Sequence, residues 1–226
     1  MSLALFGIWP YAALVASLVG LVWRWRTDQF GWTSRTSQLL ERRWLGWGSP
    51  LFHAGALIAI MGHAAGLLVP ASVTSALGVP EHAYHLMAVM GGALAGTLLT
   101  AGLVVLVIRR IRSRARLRFV TTGWDRVMYG LLSVIVAFGM YPTFALNVFG
   151  PGYDYRETIA VWFRSVFYLD PQVGLMAEAP WPYQVHVVAA FALFAIWPFT
   201  RLVHVFSIPL GYLARPYVVY RQKVRR

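Results

Sequence analysis

The stretch Leu51–His63, LFHAGALIAIMGH, carries no charge over thirteen residues and holds a histidine near each end. His53 and His63 lie ten residues apart. In a helix, at about 1.5 Å per residue, they stand roughly 15 Å apart along the axis. That is about half the hydrocarbon depth of a bilayer. An imidazole at such depth is costly unless something binds it, so each reads as a functional group. One other stretch has this form: VHVVAAFALFAIWPFTRLVHVF places His186 and His204 eighteen residues apart.

The composition agrees with a membrane setting. The 226 residues are 58% hydrophobic and 12% charged, against about a quarter charged in soluble chains. There is no cysteine, which excludes disulfides, thiolate metal sites, iron–sulfur clusters and covalent haem attachment. The formal charge of +12 would suit nucleic acid, but in a membrane protein basic residues mark the cytoplasmic loops.

Five apolar runs are long enough to cross: Leu3–Trp23, Pro50–Val69, Ala83–Ile108, Val127–Phe149 and Tyr183–Phe206. The expectation is an all-α, five-helix polytopic membrane protein forming a single domain over 1–226, with 207–226 as a cytoplasmic tail. No basic residue precedes the first run and Arg24 and Arg26 follow it, so it reads as a span and not a cleaved signal. The first loop holds Arg24, Arg26, Arg35, Arg42 and Arg43. The third holds Arg109, Arg110, Arg112, Arg114, Arg116 and Arg118, and the tail is equally basic. The loops on the other side hold only Arg156 and Arg164. The N-terminus is therefore expected outside and the C-terminus inside.

The loops carry further expectations. Loop one, rich in aromatic and basic residues, is either an interfacial anchor or a docking surface for a soluble partner. The GGALAG run of span three, with Gly91, Gly92 and Gly96, suits close helix packing. YRETIAVWFRSVFYL has the spacing of a short amphipathic helix on the outer surface, with Asp154 as a cap and Glu157 three residues on.

With that topology the histidines pair. His53 and His204 fall near the inner face, His63 and His186 near the outer. Each pair can grip one iron from both sides, which points to two b haems, a large planar cofactor spanning the gap at each level. With both axial positions filled, such a haem passes electrons and binds no substrate. Zinc would need three or four ligands at one depth. Eighteen residues against ten is a mismatch of length, for which a kink at Pro198 provides a remedy. His82 and His85, in EHAYHLMA, are either ordinary interfacial histidines or groups that take protons from a quinol beside the outer haem; Gly62 is grouped with them as a quinol contact. Arg201 is placed to meet a haem propionate or a lipid phosphate. No Asp or Glu falls inside the five runs, so a proton relay through the chain is not expected.

The chain resembles the gamma subunit of membrane-bound respiratory nitrate reductase, most sharply in WTSRTSQLLERR (32–43), SPLFHAGALIAIMGHAAGLLVP (49–70), TTGWD (121–125) and WPFTRLVHVFSIPLGYLARPY (197–217). The resemblance implies a quinol-oxidising cytochrome b with an inner haem on His53 and His204 and an outer haem on His63 and His186. It implies oxidation of menaquinol or ubiquinol near the outer face of a bacterial or archaeal cytoplasmic membrane. Electrons would pass to an iron–sulfur beta subunit and a molybdenum-bearing alpha subunit, where nitrate is reduced. The family's quinol-linked lysine at the mouth of span three is absent, with His82 or His85 in its place, and Gln184 stands where a basic residue is expected. Two alternatives remain: a similar dihaem subunit of a nitrite-oxidising or sulfite-reductase-linked complex, and a haem-free membrane anchor.

Overall fold

The structure, a computed structural model, describes residues 1–34 and 37–207. The tail expected over 207–226 lies outside the described residues except for Ser207, as does Arg35. Among the described residues the chain is helical without strands, and five helices are long and apolar enough to cross a membrane: Leu3–Thr27, Arg43–Leu68, Glu81–Arg112, Gly123–Val148 and Trp181–Phe199. They are called spans one to five.

The bundle divides into two packed groups. Span two lies along span three, and span five lies between spans one and four. Span two, which carries His53 and His63, and span five, which carries His186, hardly touch through their backbones. The closeness of spans two and three comes from glycine. A side chain at Gly55 would collide with the backbone of Leu99, and one at Gly102 with the backbone of Phe52. The GGALAG run does less than its sequence suggests: Gly91 faces open space and Gly92 ordinary contact, while Gly96 abuts Met140 of span four.

Several boundaries differ from expectation, and in spans four and five the structure shows a local reason. Span four starts at Gly123 instead of Val127 because Thr122 and Asp125 form a capping box, each satisfying the other's amide. Asp125 and Glu81 therefore sit in the first turns of spans four and three, where no acid was expected inside a span. Past Tyr141, Pro142 has no N–H to donate, and the turn widens into a π-helix over Pro142–Val148. Span five ends at Phe199 instead of continuing to Phe206. Its α-helix stops at Ile196, a 3-10 turn follows over Trp197–Phe199, and Thr200 is extended at φ −104°, ψ 176°. A separate 3-10 segment, Arg201–Ser207, carries His204.

The expected amphipathic helix is present over Ile159–Phe167, but it is built into the bundle and does not rest on its surface. Ile159, Trp162 and Val166 are buried in one cluster with Phe6 and Phe191. The Trp162 indole donates to the Phe6 carbonyl at 2.9 Å and the Tyr11 hydroxyl to the Val166 carbonyl at 2.9 Å. Asp154 does not cap this helix; it accepts from the Arg156 amide at 2.8 Å in a turn before it, and Thr158 precedes the helix without a side-chain cap.

Loop one is pinned in its middle. Arg109, at the end of span three, is buried and donates to the Glu41 carboxylate at 2.5 Å, the Ser37 hydroxyl at 2.9 Å and the Glu41 carbonyl at 2.9 Å. Phe30, Leu39 and Trp47 remain exposed, a surface compatible with either reading of this loop. Burial pushes the Glu41 carboxyl up, but hydrogen bonds from the Trp44 amide and Arg109, with the charge of Arg109, outweigh it and hold the group below its ordinary value.

Two outcomes are expected. Gly102→Leu, which forces backbone apart, costs at least the upper end of the roughly 1–3 kcal/mol typical of overpacking, while Gly91→Ala is within about 0.5 kcal/mol; thermal melts in detergent compare them. Because the folded Glu41 carboxyl is depressed, its contribution is complete above the ordinary range of about 4–4.5 and is lost as pH falls through the folded value. Melts between neutral and acid pH should show a steeper acid loss for the native chain than for Glu41→Gln.

Candidate functional site: two facing imidazole pairs

Span two is one continuous helix through both of its histidines. Its His53 faces His204 with ring centres 6.0 Å apart, and its His63 faces His186 at 5.9 Å with ring planes 7° from parallel. The two levels draw on different supports. His186 comes from the first turns of span five. His204 comes from the segment beyond the Thr200 break, so its eighteen-residue distance from His186 is not a length of straight helix.

The hydrogen bonding of the four rings is uniform. His53 Nδ1 donates to the Ser49 carbonyl at 2.8 Å and His63 Nδ1 to the Ala59 carbonyl at 2.7 Å, each one turn back on the same helix. His186 Nδ1 donates to the Ile135 carbonyl of span four at 2.8 Å, and His204 Nδ1 to the Arg201 carbonyl at 2.5 Å. A carbonyl can only accept, so the proton of each neutral ring lies on Nδ1 and the Nε2 lone pair is left for another partner. Among the described residues none of the four Nε2 atoms has a hydrogen-bond partner. An imidazole N–H bound to a carbonyl with the other nitrogen presented is the usual state of a metal-ligating histidine.

The spacing fits the same use. Two imidazoles on opposite sides of one metal atom stand about 6 Å apart, from metal–nitrogen distances of about 2 Å and about 1 Å more to each ring centre. Ordinary ring pairs span about 4.5–7 Å, so the shared Nδ1 pattern, and not the distance alone, separates the two uses. Among the described residues no three of His, Asp or Glu converge; each level offers two nitrogen donors. Gly139 of span four makes room for one of them, since a side chain there would come within 3.0 Å of His186 Cε1.

The remaining candidates are dispersed. His82 and His85 are exposed in the first turn of span three, and Gly62 is exposed beside His63 with open space around it. Arg201 is paired within the protein, donating to both Asp125 oxygens at 3.0 and 2.8 Å. Gln184 donates to the Ala177 and Ala179 carbonyls and braces the chain ahead of span five.

A polar group near His63 was not anticipated. The Tyr155 hydroxyl fills the place of a side chain at Gly66, one turn from His63, and lies 3.3 Å from the Tyr84 hydroxyl. Burial and the neighbouring Tyr84 push the Tyr155 phenol up. Arg156 stacks over Tyr84 at 3.8 Å and pairs with Glu81 at 2.9 Å. Two signals were present in sequence: Tyr84 lies between His82 and His85, and Arg156 is one of two basic residues on its side.

The Nitrate reductase gamma subunit family model matches residues 2–223. The chain belongs to that family. It is 43% identical to the nitrate reductase gamma chain of Bacillus subtilis, over 97% of each. It is 32% identical to the respiratory nitrate reductase 1 gamma chain of Escherichia coli, over 99% of this chain and 98% of that one. It is also 50% identical, over 95% of its length, to the nitrate reductase-like protein NarX of Mycobacterium tuberculosis, of which it spans 33%.

Proposed function

We propose that this chain is the dihaem b, quinol-oxidising subunit of a membrane-bound respiratory nitrate reductase. The observation that carries the reading is the repetition of one arrangement at two levels: facing imidazoles, every Nδ1 on a carbonyl and every Nε2 presented. His53 and His204 would hold the inner haem, His63 and His186 the outer. Each haem, when bound, supplies one-electron exchange between ferric and ferrous iron with no open position for substrate. Membership of the gamma subunit family supports the same assignment.

The chain's own work is then positional. Four carbonyls orient the rings and fix the Nδ1 tautomer, so ligation through Nε2 needs no change of tautomer. Quinol oxidation releases two protons, and His82 and His85, which are exposed at the His63 end, would accept them; Gly62, with open space around it, would adjoin the quinol. With the N-terminus outside, that end faces away from the cytoplasm. Electrons leave at the His53 end, where the basic loops and exposed Phe30, Leu39 and Trp47 would meet the iron–sulfur beta subunit, and through it the molybdenum alpha subunit.

Reduced-minus-oxidised spectra and haem extraction on the solubilised complex should give two b haems per chain, both reduced by a menaquinol analogue. His63→Ala or His186→Ala should lower this to one and reduce quinol-dependent nitrate reduction at least tenfold. Two haems in either variant, or fewer than two in the native chain, would refute the assignment. Gly139→Val, which drives a methyl into the His186 ring, should cost the outer haem and spare the inner; haem quantification with spectral assignment of the remaining species decides.

A further inference from the structure

Of the four imidazoles, His204 has the least secure support. The carbonyls that orient His53, His63 and His186 belong to long regular helices. The carbonyl that orients His204 belongs to Arg201, at the start of a seven-residue 3-10 segment cut off from span five by extended Thr200. Such a segment does not hold its own direction. Something must tie it to the bundle.

Leu202 packs against Met128 and Leu193, and the Trp197 indole donates to the Leu202 carbonyl, but the tie nearest the orienting carbonyl is the side chain of Arg201 itself. Its Nε and Nη2 reach the two oxygens of Asp125 at 3.0 and 2.8 Å, and Nη2 also meets the Val120 carbonyl at 3.3 Å. Asp125 is 1% exposed and is fixed in turn: its Oδ2 accepts from the Thr122 amide at 3.0 Å and its own amide donates to the Thr122 hydroxyl at 3.1 Å. An unbroken path therefore runs from the capped first turn of span four, through a two-pronged carboxylate–guanidinium pair, to the carbonyl that holds His204 Nδ1. A buried ion pair is poor evidence of added stability, because desolvation offsets its attraction, but its geometry is strongly directional. Lysine, a point charge, could not reproduce the fork.

We infer that Asp125 is a positioning residue for His204: through Arg201 it sets the orientation of the inner imidazole and thereby the electronic character of the inner haem. Asp125 touches neither haem nor substrate in this role. The inference rests on the dihaem reading given above.

The test uses the solubilised complex with Asp125→Asn, Asp125→Glu and Arg201→Lys, read by electron paramagnetic resonance of the ferric haems and by redox titration. In Asp125→Asn and Arg201→Lys the inner haem's g-max and midpoint potential should shift while those of the outer haem stay within error and two haems per chain are retained. Asp125→Glu, which keeps the carboxylate, should move the inner signal less than Asp125→Asn. An unmoved inner signal in both Asp125→Asn and Arg201→Lys overturns the inference. So does loss or displacement of both haems together, which marks a general structural staple. A native chain without two haems fails the dihaem reading itself, before any variant is compared.

Discussion

Everything in this bundle is subordinate to a constraint on imidazole in a low-dielectric medium: one nitrogen must donate to something inside the protein. Four backbone carbonyls meet that requirement. Two are on span two itself, each one turn back from its ring in a helix that stays continuous. The other two lie on span four and on the segment after span five, so the rings facing span two are oriented from elsewhere. This explains why the histidine-bearing helices need not pack on each other. Each is held by its own neighbour, span two by span three and span five by spans one and four, and the imidazoles bridge what lies between.

The placement of small residues follows from that division. Where two helices must act as one rigid support, their backbones approach through glycine, as at Gly55 against Leu99 and Gly102 against Phe52. The second contact is adjacent to His53, so the packing of span three bears directly on the position of that ring. Where a ring must be admitted, a glycine stands opposite it, as Gly139 does for His186. Small residues thus serve backbone contact in one half of the bundle and side-chain clearance in the other.

The spans and the pairing of the histidines were legible because both follow from long-range regularities: twenty-residue apolar runs and alternating helix direction. The exceptions were short-range. The capping box of Thr122 and Asp125 extends span four by one turn and brings an acid inside it. The burial of Trp162 was hidden because a helix with one apolar face has the same pattern whether that face meets lipid or protein. The GGALAG run looked like the packing seam, but which glycines meet a backbone depends on the crossing point of two helices, which no single helix encodes. For Arg201, sequence shows its charge and its distance from His204; its partner lies seventy-six residues away.

The interruption of span five is the most instructive of these, because it would be costly if left alone. Ending a helix at membrane depth strands its last carbonyls, and in lipid each unsatisfied group costs several kcal/mol. Here several carbonyls at and just beyond the break are met from different directions. The Arg24 guanidinium, from the end of span one, donates to the Pro198 and Thr200 carbonyls. The Thr200 hydroxyl donates to the Trp197 carbonyl, and the Trp197 indole to that of Leu202. A positive charge also suits the negative end of a helix dipole. Arg24, one of the basic residues whose position sets the expected topology, is thus at the same time the donor that makes the break tolerable. Without the break, a helix continued through residue 204 would carry that imidazole past the level of His53, about 27 Å from His186 against about 15 Å between the partners on span two. The charge at this end and the turn that brings His204 opposite His53 are therefore two aspects of one structural solution.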